Sequence, residues 1–445
     1  SLYDVTPIRL TTAAGAVTFA ATNGSKTITV TNIGHGAQAG DFVTFSGATS
    51  LGGNITAAIL NAEFQITTYV SSSQYTITSS VAANASDTGT GGAATVGAYQ
   101  ITTGSEIYTQ NVGWGAGGWS GVTTGYTSTG WGSPAPAGQG IGVQLRLWSE
   151  SNYGEDLVFN PRGGAMYYWA NAASPNTFNR GQLLGPSASV VTKSGTITID
   201  AYCPSVANIV MVSDASRFVI AFGCNDAVSG SLVQDPLFIA WSDQQNIAVW
   251  NPSATNQAGS YRLSHGSAIV GVIQTRQEIL VLTDAAIYSM QYLGPPYVWG
   301  FQIMGDNISI AGPNAIATAN NVTYWMGQDK FYMYTGRVET LPCTLRQYVY
   351  DDINMTQSYQ FFASTNEGFS EIWWFYCSAN STTIDKYVIF NHLERTWYYG
   401  TLARTYWLDS PLRSTPMAAG YNGQLIYQEN GNDDGTTNPP TAITA

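Results

Sequence analysis

The chain has 445 residues, a formal net charge of −12 and only 10% charged residues, with Gly (47), Tyr (27) and Trp (13) prominent. Such a length buries a core without difficulty, and the excess of carboxylates leaves no basic surface for the counterion release that drives non-specific DNA binding. No stretch of 18 or more apolar residues stands in the chain, so no membrane-spanning helix is predicted, and no secretion signal opens it.

Thr, Ser and Asn beside so much Gly and aromatic residue form the vocabulary of strands and turns, and an all-β fold is predicted. Residues 1–14 read as an initial strand. Residues 15–80 read as a small inserted module with five short strands, "AVTFAA", "KTITVTN", "DFVTFSG", "EFQITTYV" and "QYTITSS", each alternating apolar with polar residues. These are expected to close a barrel-like unit around Val17, Phe19, Ile28, Val30, Val43, Phe45, Phe64 and Ile66. His35 lies in the Gly-rich turn "GHGAQAGD" and is expected to serve that turn rather than ligate a metal. Residues 81–144, dominated by Gly, Ser, Thr and Trp, read as linker and long loops. There Trp114, Trp119 and Trp131 are expected to pack on a neighbouring domain or chain.

From residue 145 to 445 one phrase recurs: an apolar stretch, a few polar or Gly residues, then a second apolar stretch. It occurs in "DLVFNPRGGAMYYW", "IVMVSDASRFVIAFG", "LFIAWSDQQNIAVW", "EILVLTDAAIYSMQ", "VTYWMGQDKFYMYTG", "YVIFNHLERTWYYG" and "MAAGYNGQLIYQEN". Hairpins at such spacing predict a β-propeller with degenerate blades; a β-sandwich is the structural alternative. The best short helix is "TLRQYVYDDI". The chain opens on Ser1 and closes on "NPPTAITA", which reads as processing or truncation at one end or both.

Parts for catalysis are scarce. His35, His265 and His392 are the only imidazoles, and neither a G-x-S-x-G elbow nor a phosphate-binding glycine loop is present. Asp156, Asp214, Asp243, Asp284 and Asp329 supply the carboxylates a glycosidase would need. All five fall at or near hairpin turns, where Asp commonly bonds backbone. Cys203, Cys224, Cys343 and Cys377 lack metal-ligand spacing and are expected as buried free thiols. "NGNDDG" resembles the start of a calcium loop, but Thr441 holds the place of the closing Glu, so a solvated acidic loop is expected. No catalytic, cofactor-binding or metal residue is assigned, no cofactor is expected, and the chain is read as not an enzyme.

Between Arg276 and Asp409 stand "RQEILVLTDAAIYSMQYLGPPYVWGFQIMGDNISIAGPNA", "YWMGQDKFYMYTGRVETLPCTLRQYVYDDIN" and "EGFSEIWWFYCSANSTTIDKYVIFNHLERTWYYGTLARTYWLDS". With "YLGPP", "YWMG" and "EIWWFY" in this order, the chain resembles a family of podovirus structural proteins: the tail nozzle, tail tubular protein B or packaged-DNA stabilisation proteins. The resemblance runs the length of the chain, with 15–80 as an insertion.

It implies a virion protein of a short bacteriophage tail, a propeller platform repeated in a six-fold, hexameric ring below the portal and adaptor rings. Those rings would be its partners, with tail fibres or spikes as further ones. Genomic DNA would pass through the bore during DNA ejection without tight binding. A receptor- or carbohydrate-binding propeller is the alternative, and a glycosidase the third reading.

Overall fold

The computed structural model describes residues 4–85, 90–101, 143–171, 180–410 and 413–430, and the strands Glu106–Tyr108, Val122–Thr123 and Tyr126–Thr127. The chain is all-β, with 46% strand and 5% helix, and its larger part is a six-bladed propeller.

Each blade is an antiparallel meander counted outward from the central channel. Blade 1 comprises Trp148–Tyr153, Asp156–Pro161, Met166–Trp169 and Gln182–Leu184; blade 2, Ile209–Val212, Val219–Phe222, Phe238–Trp241 and Gly259–Arg262. Blade 3 comprises Ile269–Gln274, Ile279–Thr283, Ala286–Gly294 and Val298–Asp306; blade 4, Ile316–Ala319, Val322–Met326, Phe331–Tyr334 and Val338–Leu341. Blade 5 comprises Phe362–Asn366, Glu371–Tyr376, Lys386–Asn391 and Thr396–Thr401, and blade 6 has three described strands, Tyr406–Leu408, Met417–Ala419 and Leu425–Tyr427. The short helix forms at Arg346–Tyr350, within the segment predicted for it.

Successive blades are joined through the side chains that alternation sends to opposite faces of each sheet. In "EIWWFY", Trp373 stacks on Trp407 of blade 6 at 4.9 Å, while Trp374 meets Phe331 of blade 4 at 5.0 Å. Near the channel the inner strands are tied by polar bonds as well. Val210 N–H and Val212 N–H of blade 2 donate to the hydroxyls of Ser149 and Ser151 of blade 1 at 2.9 and 3.0 Å. Ser364 of blade 5 donates to the Trp407 carbonyl at 3.0 Å.

Six of the seven recurring phrases are hairpins, and "LFIAWSDQQNIAVW" is a correction. Only Phe238–Trp241 is a strand; Ile247 and Trp250 belong to a loop that returns to plug the core between blades 1 and 2. An apolar segment read as a strand is here a buried loop held by its own hydrogen bonds, with Trp250 N–H and Asn251 N–H donating to Asp200.

The N-terminal module contains all five expected strands, and all eight expected core residues lie in or against its core. It is nevertheless one sheet of seven strands. Ile8–Thr11 and Val96–Gln100 join it, the latter lying between Ile8–Thr11 and Phe42–Ser46. The expected limits, with a separate 1–14 strand and a linker from 81, are therefore drawn too tightly around the module. Tyr99, buried in the core, bonds Tyr75 at 2.9 Å and Asn32 at 3.1 Å through its hydroxyl. The Gly-rich approach to this strand is a packing requirement: a Cβ on Gly91 would stand 2.5 Å from the Phe19 ring.

Candidate functional site

The inner strands enclose a channel cavity of about 280 Å³, whose lining includes Glu150, Arg162, Asp214, Gln274 and Tyr406. Arg162, from the turn between the second and third strands of blade 1, reaches across to donate to the Ile269 carbonyl at 3.0 Å and bonds Tyr359 as well. Burial lowers its pKa, and the Tyr359 contact opposes that. Glu150 lines the cavity enclosed by protein, so desolvation raises its carboxyl pKa. The cavity is far too small for a DNA duplex, whose major groove alone is about 12 Å wide.

The five turn carboxylates do not converge. Asp156 accepts from Asn171 N–H at 2.9 Å and from the Tyr168 hydroxyl, and Asp243 accepts from Gln257 N–H at 2.9 Å. Asp284 accepts from Ser267 N–H at 2.7 Å and from the Ser267 hydroxyl, Asp214 lines the channel, and Asp329 faces Arg346 at 3.7 Å. The bonds mostly tie a turn to a neighbouring loop instead of to itself, and each serves its own blade.

His35 is buried and organises its turn: Nε2 bonds the Ser71 carbonyl at 3.0 Å while Nδ1 accepts from Ala37 N–H at 3.0 Å. All four cysteines are free; Cys203, Cys224 and Cys377 are buried and Cys343 half-buried. Trp114, Trp119, Trp131 and nearly all of "NGNDDG" lie outside the described residues.

Two surface features were not marked in the sequence. A cleft of about 450 Å³ between blades 4 and 5 is lined by Tyr324, Phe390, His392, Arg395 and Glu339 among others. His392 lies parallel to Tyr324 at 6.4 Å, and burial lowers its pKa, which keeps the ring neutral at pH 7.

The second feature is the seam between blades 6 and 1. Cross-strand register puts Tyr406, Ala419 and Leu425, and likewise Leu408, Met417 and Tyr427, on one face of blade 6. Trp407 and Ala418 point the other way, into the core shared with blade 5. The apolar clusters among the described residues join blades 1 to 2, 2 to 3, and 3 through 6, but none joins 6 to 1. Blade 1 instead packs Phe159 and Tyr167 against Val5 and Ile101 of the N-terminal module. Gly181 permits this approach: a Cβ there would stand 2.6 Å from Phe159 and 2.9 Å from the Val5 carbonyl.

No family model matches the chain, and no curated protein matches it. Among solved structures it is similar to Hsv2 of Kluyvelomyces marxianus, with 9% identity and a TM-score of 0.35 over 64% of this chain and 74% of that one. Hsv2p of Kluyveromyces lactis gives 11% identity and a TM-score of 0.34 over 63% and 73%. The endosialidase of phage phi92 gives 10% identity and a TM-score of 0.21 over 98% of this chain and 60% of that one.

Proposed function

We propose that the chain is a structural subunit of a short bacteriophage tail, a nozzle-type protein that self-associates in a ring around the tail axis beneath the portal and adaptor. The observation that carries this reading is the exposure of Leu408, Leu425 and Tyr427 on one face of blade 6, which no apolar cluster among the described residues covers. Apolar side chains left in water on a well-ordered sheet mark a surface meant for another protein. The phrases that resemble tail-nozzle proteins fall in blades 3 to 6, with "YLGPP" at the outer hairpin of blade 3 and "EIWWFY" at the centre of blade 5.

Its charge suits a conduit. Of the sixteen Lys and Arg residues, Arg180, Lys193, Arg262, Arg337, Arg346 and Lys386 are held in ion pairs with carboxylates. DNA passing such a surface meets net repulsion rather than a string of phosphate contacts. The dispersed turn carboxylates favour a non-enzymatic role. A gel-shift titration at low salt is expected to show no DNA binding; micromolar binding that weakens steeply with salt would recast the protein as a DNA clamp.

The cleft between blades 4 and 5 favours the second reading, a carbohydrate-binding propeller, because Tyr324 and Phe390 offer ring faces beside Arg395 and Glu339. A glycan array separates the two. A nozzle subunit shows no saccharide preference, and a defined preference lost on Tyr324→Ala would favour the second reading.

A further inference from the structure

We propose that the cleft between blades 4 and 5 is a binding site for a small organic carboxylate carried on a six-membered ring. The inference rests on the cleft being a ligand site, as in the carbohydrate reading, and assigns the charge and shape of what it takes. It is independent of the tail reading, because the whole site lies within one chain.

The walls of the cleft are already assembled. Phe390 and Tyr324 stand 5.9 Å apart and His392 lies parallel to Tyr324 at 6.4 Å, so three rings follow one another along it. The Trp397 indole N–H donates to the Pro342 carbonyl at 2.9 Å, which pins the outer strand of blade 5 to the end of blade 4 and fixes the width of the opening. A volume of about 450 Å³ lies within the range of small-molecule sites, about 300–1,000 Å³.

Three polar groups in the cleft have no partner. The Tyr324 hydroxyl, the His392 ring nitrogens and the Arg395 guanidinium make no hydrogen bond to protein among the described residues. Arg395 is in no ion pair among them either. Burial raises the Tyr324 pKa and the Arg395 charge opposes that, which puts the cation within electrostatic reach of the hydroxyl.

The turn that carries His392 and Arg395 is fixed before any ligand arrives. The Asn391 side chain accepts from Leu393 N–H at 3.1 Å and Glu394 N–H at 2.9 Å and donates to the Phe369 carbonyl at 3.1 Å, while His392 N–H donates to the Ser370 carbonyl at 3.0 Å. Arg395 has a φ of 58°, in the left-handed region that Gly or Asn enters at less cost. Binding therefore need not order this turn, and a preorganised site keeps more of its contact energy.

Charge selects the class of ligand. Glu339 also lines the cleft, but Arg337 holds it in an ion pair, so Arg395 leaves one net positive charge. Glu394, next in the chain, bonds the Tyr398 hydroxyl at 3.5 Å and does not line the cleft. One guanidinium matches one carboxylate, which its parallel N–H groups grip in a bidentate pair. A phosphate dianion calls for more positive charge. The Tyr324 hydroxyl and the single N–H of a neutral His392 are further donors, and the ring wall takes the body of the ligand.

The test is a saturation-transfer NMR titration of the full chain with cyclohexanecarboxylate and glucuronate, and with their neutral counterparts cyclohexylmethanol and glucose. Each carboxylate should bind about tenfold or more tighter than its counterpart, the size of a hydrogen bond to a charged group. Whichever carboxylate binds more tightly shows whether the ring is apolar or a sugar, and each should displace the other. Arg395→Gln should abolish the advantage of the carboxylates. Arg395→Lys should restore only part of it, because lysine cannot form the bidentate pair. Both variants should melt like the parent, since Arg395 is exposed. Neutral probes that bind as tightly as the carboxylates would overturn the assignment and leave the cleft to the carbohydrate reading. Carboxylate binding that survives Arg395→Gln would place the site elsewhere and overturn it. Absence of binding by all four probes would overturn both the assignment and the cleft as a ligand site.

Discussion

Blades 5 and 6 are neighbours built from similar residues, and they are used differently. In blade 5 the strands Glu371–Tyr376 and Lys386–Asn391 are buried at every position but the first. In blade 6 burial alternates: Trp407 and Ala418 are buried, and Tyr406, Leu408, Leu425 and Tyr427 are exposed. A continuous apolar run reflects a sheet covered on both faces. Blade 6 has apolar residues on both faces, and among the described residues an apolar cluster covers only one. The difference teaches that residue type records what a strand is meant to touch, while burial records what this single chain supplies.

The largest effect is expected at the covered side. Trp374→Ala should cost about 3–5 kcal/mol of stability, because the indole lies fully buried between blades 4 and 5 and its removal leaves a cavity. Trp373→Ala sharpens the comparison: its indole stacks on Trp407, so hydrogen exchange should rise selectively in 406–427. Uniform exchange across the propeller would show that blade 6 does not lean on blade 5.

A smaller effect is expected in the N-terminal module, where a polar side chain takes the covered role. His35→Ala orphans the Ala37 N–H and the Ser71 carbonyl and should cost about 1–3 kcal/mol by thermal melting. His35→Gln should recover part of that loss.

Smaller again is Asp284. Burial pushes its carboxyl up, but hydrogen bonds from Ser267 and Ala268 outweigh that and hold it below its ordinary 3.8. A depressed folded pKa means support that is present above 3.8 and lost as pH falls through the folded value. Asp284→Asn should therefore lower Tm modestly at pH 7, and the gap to the parent should close in acid. The smallest effect belongs to the open face: Tyr427→Ser should leave the stability of the single chain within about 0.5 kcal/mol of the parent. A large loss there would mean that blade 6 is covered within one chain, and the contrast with blade 5 would collapse.

Much of this fold is legible in the sequence, because hairpins leave local signals. "VTYWMGQDKFYMYTG" and "YVIFNHLERTWYYG" are a strand, a turn and a strand in the structure as in the text. What is not legible is long-range. Val96–Gln100 pairs with Phe42–Ser46, more than fifty residues back, and its flank resembles a linker because Gly91 must clear Phe19. "NIAVW" has the composition of a strand, yet Ile247 and Trp250 are held in a loop by tertiary packing. The candidate site was least visible of all. "YWL" and "LIY" are two-sided apolar strands in sequence, and only the cross-strand register within blade 6, with the packing of Trp407 on blade 5, reveals which side lies in the core among the described residues.

We propose that this propeller is a repeated part of a short bacteriophage tail. An electron-microscopy map of the assembled particle tests it most directly. The account predicts six-bladed density repeated in a ring on the tail axis below the adaptor, with DNA in the bore between copies and the blade 6 face against its neighbour. Density for this chain at the tip of a fibre or spike, away from the axis and with blade 6 facing solvent, would contradict it.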